Sequence, residues 1–240
     1  MRSTQRTLIL LVAAALAFAS LAGCEPPQEG DDGTWVYDFM TDGDAFLSAD
    51  PAWFVDPGNM GETSNGYWLN QASVAAPYLF TGDFVAEFEF YLKIMPDDSL
   101  FRYAFRLVDP NWDIPTPPSA RYFSFAPHYT ASPPDDNRYY EVAQGNGDYT
   151  DQDFYQTVPG IRLNDINTCR LVRAGNVITT HMNGTLVDTE TIDPLNQPSV
   201  GYAPLIHGHG SWDVADSNLF IRKLTVTYLP GERVDHDWNP

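Results

Sequence analysis

Residues 167–187 read NTCRLVRAGNVITTHMNGTLV, and two turns divide that stretch into runs of alternating character. An Asn-Gly pair between alternating runs is the strongest local signal of a β-hairpin, because both central positions of the turn take positive φ. Asn183-Gly184 is such a pair, and Ala174-Gly175-Asn176 marks a second turn just upstream. The segment from Asn167 to Ile192 is therefore expected to be an antiparallel meander.

The same period of two extends outward. Phe84, Ala86, Phe88, Phe90 and Leu92 fall on one face of FVAEFEFYLKI, with Val85, Glu87, Glu89, Tyr91 and Lys93 on the other. In the next run Phe101, Tyr103, Phe105 and Leu107 oppose Arg102, Ala104 and Arg106, and the rhythm returns at 122–125, 139–142 and 220–228. Alternation of this kind marks strands with one buried face. Beyond the N-terminal leader no helical period is sustained, and 19 prolines and 17 glycines punctuate the chain, so helices should be minor. About a dozen such segments predict an all-β, two-sheet antiparallel sandwich or jelly roll. No internal repeat or boundary interrupts residues 34–229, and residues 230–240 read as a C-terminal tail.

The 240 residues carry 13 Lys plus Arg against 32 Asp plus Glu, a formal charge of −19. Such an acid excess argues against a nucleic-acid partner, whose phosphates need Lys and Arg to neutralise them. At 43% hydrophobic and 14% aromatic the chain has ample material for a core. Residues 1–23 read as an export leader: Arg2 and Arg6 precede the apolar run LILLVAAALAF, which is too short to span a bilayer. Removing the leader leaves 11 basic residues against 32 acidic, or −21. Leu21-Ala22-Gly23-Cys24 resembles the lipobox of bacterial lipoproteins, which implies that Cys24 is acylated and becomes the new N-terminus. Residues 24–33 would then tether the domain to a membrane through acyl chains. The acidic residue after Cys24 is Glu, which by analogy with enterobacterial sorting places the protein in the cell envelope, at the outer membrane. Cys169 then lacks a disulfide partner and reads as a small buried hydrophobe.

Several passages resemble the concanavalin A-like lectin/glucanase superfamily, and within it the laminin-G-like and 3-keto-disaccharide hydrolase-like (DUF1080) domains. The opening Asp42-Gly-Asp44 followed by Ala52-Trp53-Phe54-Val55 resembles an acidic turn and first strand common there. Residues 78–90 resemble a following strand, and 167–187 carry the family's Gly-Asn turn and v-N-G-x-x-v rhythm. Residues 201–210 and 220–229 resemble its closing strands. The resemblance implies a concanavalin A-like jelly roll, a fold that hosts lectins, adhesion modules and hydrolases alike.

Glycosidases on such folds need two carboxylates across the scissile bond. The glucanase signature E-x-D-x-x-E is absent, and its nearest counterpart is Glu87-Phe-Glu89, two acids on one strand face. Arg102 and Arg106 in the following run could pair with them across a sheet and neutralise them. Glu141 occupies the position that the hydrolase-like relatives would use, without the Asn-Ser-Gly element expected before it. Glu87, Glu89 and Glu141 are thus the catalytic candidates. Glycan binding calls for planar rings with amides, Arg and carboxylates around them. Trp112, Tyr139 and Trp212, with Trp68 and Tyr91, are the ring candidates, and His181, Arg102, Arg106 and the three glutamates are the polar ones. His207 and His209 share a strand face, where Asp213 or His181 could complete a zinc site; a structural His pair is the alternative. No cofactor is required, although Asp38, Asp42, Asp44 and Asp216 could hold a structural calcium near the first and last strands, with a solvated acidic loop as the alternative.

The expectation is a membrane-anchored, surface-exposed lipoprotein that binds carbohydrate or another cell-surface ligand on the concave face of a jelly roll without catalysis. A hydrolase of the 3-keto-disaccharide hydrolase-like kind and a structural envelope lipoprotein are the alternatives. Cys24→Ser should abolish incorporation of labelled palmitate and release the chain from the membrane fraction; label retained in that variant would refute acylation at Cys24.

Overall fold

Alternation in the sequence becomes seventeen strands among the residues described by the computed structural model, which are 33–49, 51–56, 59–70, 72–93, 101–109, 121–132, 135–145, 151–156, 160–209, 219–236 and 238. In chain order these are β1 (Thr34–Asp38), β2 (Phe54–Asp56), β3 (Asn59–Thr63), β4 (Gly66–Asn70), β5 (Ala72–Ala75), β6 (Tyr78–Phe80), β7 (Phe84–Leu92), β8 (Phe101–Val108), β9 (Tyr122–Ser132), β10 (Asp135–Gly145), β11 (Asp151–Gln156), β12 (Asp165–Ala174), β13 (Val177–Met182), β14 (Thr185–Thr191), β15 (Ala203–His209), β16 (Leu219–Tyr228) and β17 (Arg233–Asp235). Two short 3-10 turns, Ala45–Ser48 and Pro194–Asn196, are the helical elements within them.

An eight-stranded sheet runs β14-β13-β12-β7-β16-β4-β3, with β1 also paired to β16. A seven-stranded sheet runs β11-β10-β9-β8-β15-β5-β2, and β6 pairs with β17 in a small third sheet. Every strand pairing is antiparallel, and the all-β, two-sheet expectation holds.

Strand β7 shows why the sheets pack. Phe84, Ala86, Phe88, Phe90 and Leu92 are all 0% exposed, whereas Glu87 between them is exposed. Cys169 and Leu224 flank Phe88 from β12 and β16. The rings of Phe88 and Phe90 each stand 5.0 Å from Phe105 of β8, in the opposite sheet. Fully burying a side chain of this size stabilises the fold by roughly 1.5–3 kcal/mol. The chain therefore crosses from one sheet to the other between β7 and β8. At the N-terminal end Trp53, Phe46, Phe39 and Tyr67 extend the same core, with Tyr37 against Trp53 at 4.8 Å.

The meander forms as its turns require. Asn183 and Gly184 both take positive φ, at 49° and 80°. The Asn183 side chain also fastens the hairpin to its surroundings: its Oδ1 accepts from the Thr168 amide (2.8 Å), and its Nδ2 donates to Gly160 O (2.6 Å) and Asn167 Oδ1 (2.9 Å). Asn167 is buried, and its Nδ2 donates to Arg162 O at 2.7 Å.

The C-terminal stretch departs from the tail expected of it. Arg233–Asp235 pair with β6, the Trp238 indole N–H donates to Ala76 O at 2.9 Å, and the ring packs 5.5 Å from Phe54. An aromatic anchor outside the alternating pattern explains the difference, because such a residue buries its ring wherever it finds an apolar partner and an acceptor.

Cys169 is buried and unbridged, and burial, with a lesser effect of the Glu87 charge, pushes its thiol well up from the usual range. The thiol should react with alkylating reagents only on unfolding. Phe105→Ala should lower stability by about 3–5 kcal/mol, seen as a lower denaturant midpoint for Cys169 labelling; an unchanged midpoint would show that the inter-sheet ring contributes little.

Candidate functional site

Both inward faces are filled by the core, so side chains free to meet a ligand stand on the two outward faces. On the seven-stranded sheet, Val74, Phe105, Leu107, Phe123, Phe125, Val142 and Ile206 point into the main core. The residues alternating with them face outward.

Three register rows cross this outward face. In the first, Ala75 and Arg106 flank Leu205, and Ser124 lies between Arg106 and Ala143. Arg106 Nε donates to Ser124 Oγ at 3.3 Å. In the second, Ser73 and Ala104 flank His207, and Ala126 pairs with Glu141. Ser73 Oγ and His207 Nδ1 share a hydrogen bond at 2.8 Å. In the third, His209 pairs with Arg102, Arg102 with His128, and His128 with Tyr139. Ala104, Ala126 and Ser124 are 2%, 2% and 4% exposed although they face outward, so they form a floor between longer side chains. Gly208 lets β15 run close against β4 at this point, since a Cβ there would collide with the Leu69 carbonyl oxygen.

One end of the face is closed. Ala75, Leu79, Val108, Ala203 and Leu205 form a second apolar cluster, covered by Phe54 and Trp238. The polar positions gather at the other end, toward His209.

The structure separates residues that the sequence placed together. Glu87 and Glu89 lie on the outward face of the eight-stranded sheet, whereas Arg102 and Arg106 belong to the other sheet and do not pair with them. The cations beside the glutamates are their own sheet's: Arg170 is opposite Glu87, Lys223 is opposite Glu89, and Arg222 Nε lies 3.2 Å from Glu89 Oε1. A register shift between Ile221 and Lys223 inserts Arg222 as an extra residue and aims it at Glu89. Glu141, in the seven-stranded sheet, cannot act with either of them.

His181 stands on the eight-stranded sheet beside Arg170, so it cannot join His207 in a zinc site. Its Nδ1 is buried without a hydrogen-bond partner, and burial, with Arg170 second, lowers its pKa from 6.5. Trp68 is 7% exposed, and half-buried Tyr91 lies 6.1 Å from Phe220; both are on the same sheet as Glu87, away from the rows described above.

The carboxylates of the acidic turn make local backbone hydrogen bonds. Asp38 Oδ1 accepts from the Met40 amide (2.9 Å), Asp42 Oδ2 from the Asp38 amide (3.1 Å), and the Asp44 amide turns to Glu62 Oε1 (3.1 Å). Among the described residues no three His, Cys, Asp or Glu side chains gather as metal ligands. Trp112, Trp212, Asp213, Asp216 and Cys24 lie outside the described residues.

Ser73, Ser124, His128 and the role of His207 were missed in the sequence. The only signal for them was the polar half of each alternating run, which does not reveal which strands are neighbours.

No protein-family model matches the chain, and no curated protein matches it in sequence. Solved structures do. Crh5 transglycosylase in complex with NAG is 13% identical, with 90% of this chain and 94% of that one aligned at a TM-score of 0.55. Lectin UEA-II complexed with galactose is 12% identical over 82% and 99% of the two chains, TM-score 0.55. The VIP36 exoplasmic/lumenal domain in its Ca2+/Man3GlcNAc-bound form is 15% identical over 79% and 91%, TM-score 0.50. The fold is a concanavalin A-like jelly-roll sandwich. At these identities the likeness is one of fold.

The depressed His181 pKa has a direction that can be checked. The unfolded chain takes up a proton near 6.5 and the folded one only below that, so His181's contribution is complete above 6.5 and is lost as pH falls through the folded value. His181→Gln should flatten the loss of stability between about pH 7.5 and about pH 5.5, measured by denaturant midpoints; an identical slope would refute the assignment.

Proposed function

We propose that this chain is a carbohydrate-binding module, held at a membrane surface through acylated Cys24, that takes sugar on the outward face of the seven-stranded sheet. The observation that carries this reading is the pair of fixed polar contacts on that face, Arg106 on Ser124 and His207 on Ser73, set above Ala104 and Ala126. A hydroxyl-rich ligand needs donors and acceptors already in position, and groups held by strands lose little entropy on binding. Small residues beneath leave depth for a ring. Tyr139 and Glu141 occupy positions two residues apart on β10, in the third and second of these register rows. The sugars in two of the similar structures, NAG and galactose, support the choice of ligand class.

Hydrolysis by a carboxylate pair has less support. Such pairs stand about 5–9.5 Å apart. Glu141 and Asp56 both fall in the second register row, but five strand spacings separate β10 from β2. At about 4.8 Å per spacing that is roughly 24 Å.

The full chain, purified in detergent, should bind members of a broad glycan array. Arg106→Ala should weaken the best ligand by about tenfold or more, the scale of a hydrogen bond to a charged group, while Glu87→Gln leaves it unchanged. Absence of any glycan signal from protein whose Cys169 stays protected would sink the reading.

A further inference from the structure

A chain of backbone contacts joins the start of β1 to a loop far away in sequence. Gly33 O accepts from the Tyr228 amide (2.8 Å), so the tether leaves beside the last residue of β16. Leu229 comes next; its carbonyl accepts from the Glu232 amide (3.0 Å), and Glu232 O accepts from the Thr81 amide (3.0 Å). Asp83 Oδ1 accepts from the Gly175 amide (2.6 Å), and Asn176 O accepts from the Ile192 amide (2.8 Å). Residues 193–200 continue from there, so one end of the sandwich carries both the tether and this loop.

The loop is fastened along its length. Gln144 Oε1 accepts from the Asp193 amide (2.9 Å), Asp193 Oδ1 from the Leu195 amide (2.8 Å), and Arg121 Nη1 donates to Gln197 O (2.9 Å). The Ser199 amide donates to Oδ2 of buried Asp109 (2.6 Å). Against this fixed backbone Leu195 and Val200 stand 72% and 53% exposed, with Leu229 at 54%. One exposed aliphatic side chain is ordinary on a surface. Two on a loop that is already ordered can enter an apolar phase without a further loss of backbone entropy.

We infer that this end rests on a zwitterionic bilayer surface, with Leu195 and Val200 entering the boundary between headgroups and acyl chains. The inference rests on the reading of Cys24 as acylated. Residues 24–32 reach at most about 30 Å when fully extended, which keeps Gly33 within that distance of the membrane. A few aliphatic side chains are too little to hold a free protein on a bilayer, but a short tether turns the contact into an intramolecular event at high effective concentration. The chain's acid excess, 32 against 13 Lys plus Arg, disfavours an anionic surface and selects a zwitterionic one. Asp109 also ties the loop to the closed end of the seven-stranded sheet, where Val108 pairs with Ala203. The same orientation therefore turns the open part of that sheet, farther along β15, away from the membrane.

The test uses the full acylated chain in phosphatidylcholine vesicles, with one polarity-sensitive fluorophore at Leu195→Cys, Val200→Cys or Leu186→Cys; buried Cys169 stays unlabelled. Leu186 is 55% exposed and follows the Asn183-Gly184 turn, at the other end of β13 from Val177, so it reports what the fluorophore does by itself. Nitroxide-labelled phosphatidylcholine should quench the probes at positions 195 and 200 at least about twofold more than the probe at 186, as insertion to the headgroup boundary requires. With the probe at Leu229→Cys, adding Leu195→Ser and Val200→Ser should reduce its quenching. Equal quenching at all three positions, or none in a chain that floats with the vesicles, overturns the orientation and leaves acylation standing. Unchanged quenching at Leu229→Cys overturns the part given to the loop. A chain that takes the fluorophore at Cys24 and does not float overturns the acylation reading and this inference with it.

Discussion

The contact between aromatic rings across the two sheets is the constraint from which the rest follows. Phe88 and Phe90 meet Phe105 from opposite sheets, and Cys169 beside them is unbridged. The described domain is therefore held by burial and strand pairing, without a disulfide to restrict its unfolded state. Each inward face is committed to that core, residue by alternate residue. Chemistry is left to the outward faces, and these differ in what surrounds their charges.

Strands and turns were legible because their signals are local. A period of two announces a half-buried strand wherever it occurs, and Asn183-Gly184 specifies its turn through backbone conformation alone. The order of strands was not legible, since it depends on contacts between distant parts of the chain. Ser73 and His207 share a hydrogen bond 134 residues apart. Likewise β7 and β8 follow one another in sequence yet lie in different sheets, which is why Glu87 and Glu89 do not meet Arg102 and Arg106. The extra residue at Arg222 was equally hidden, because a bulge appears only when two strands are aligned. Trp238 was overlooked for another reason: its polar neighbours carry no period, and only the pocket formed by Phe54 and Ala76 gives it a role.

The two outward faces differ in the partners of their polar side chains. On the eight-stranded sheet the glutamates have cations in the flanking strands, and His181 is held toward its neutral form by burial and Arg170. Charges arranged in this way satisfy one another and leave little net field for a ligand. On the seven-stranded sheet the polar contacts run to hydroxyls, Arg106 to Ser124 and His207 to Ser73.

The room open on this face follows from how its ends are built. Trp238 and Phe54 cover the apolar cluster around Leu205 at one end and close that part of the sheet. At the other end Gly208 draws β15 against β4. Replacing that glycine would push the two strands apart. The site's geometry is thus set by the same close packing that stabilises the sandwich, and a change in the strand backbone there should be felt in binding as much as in folding.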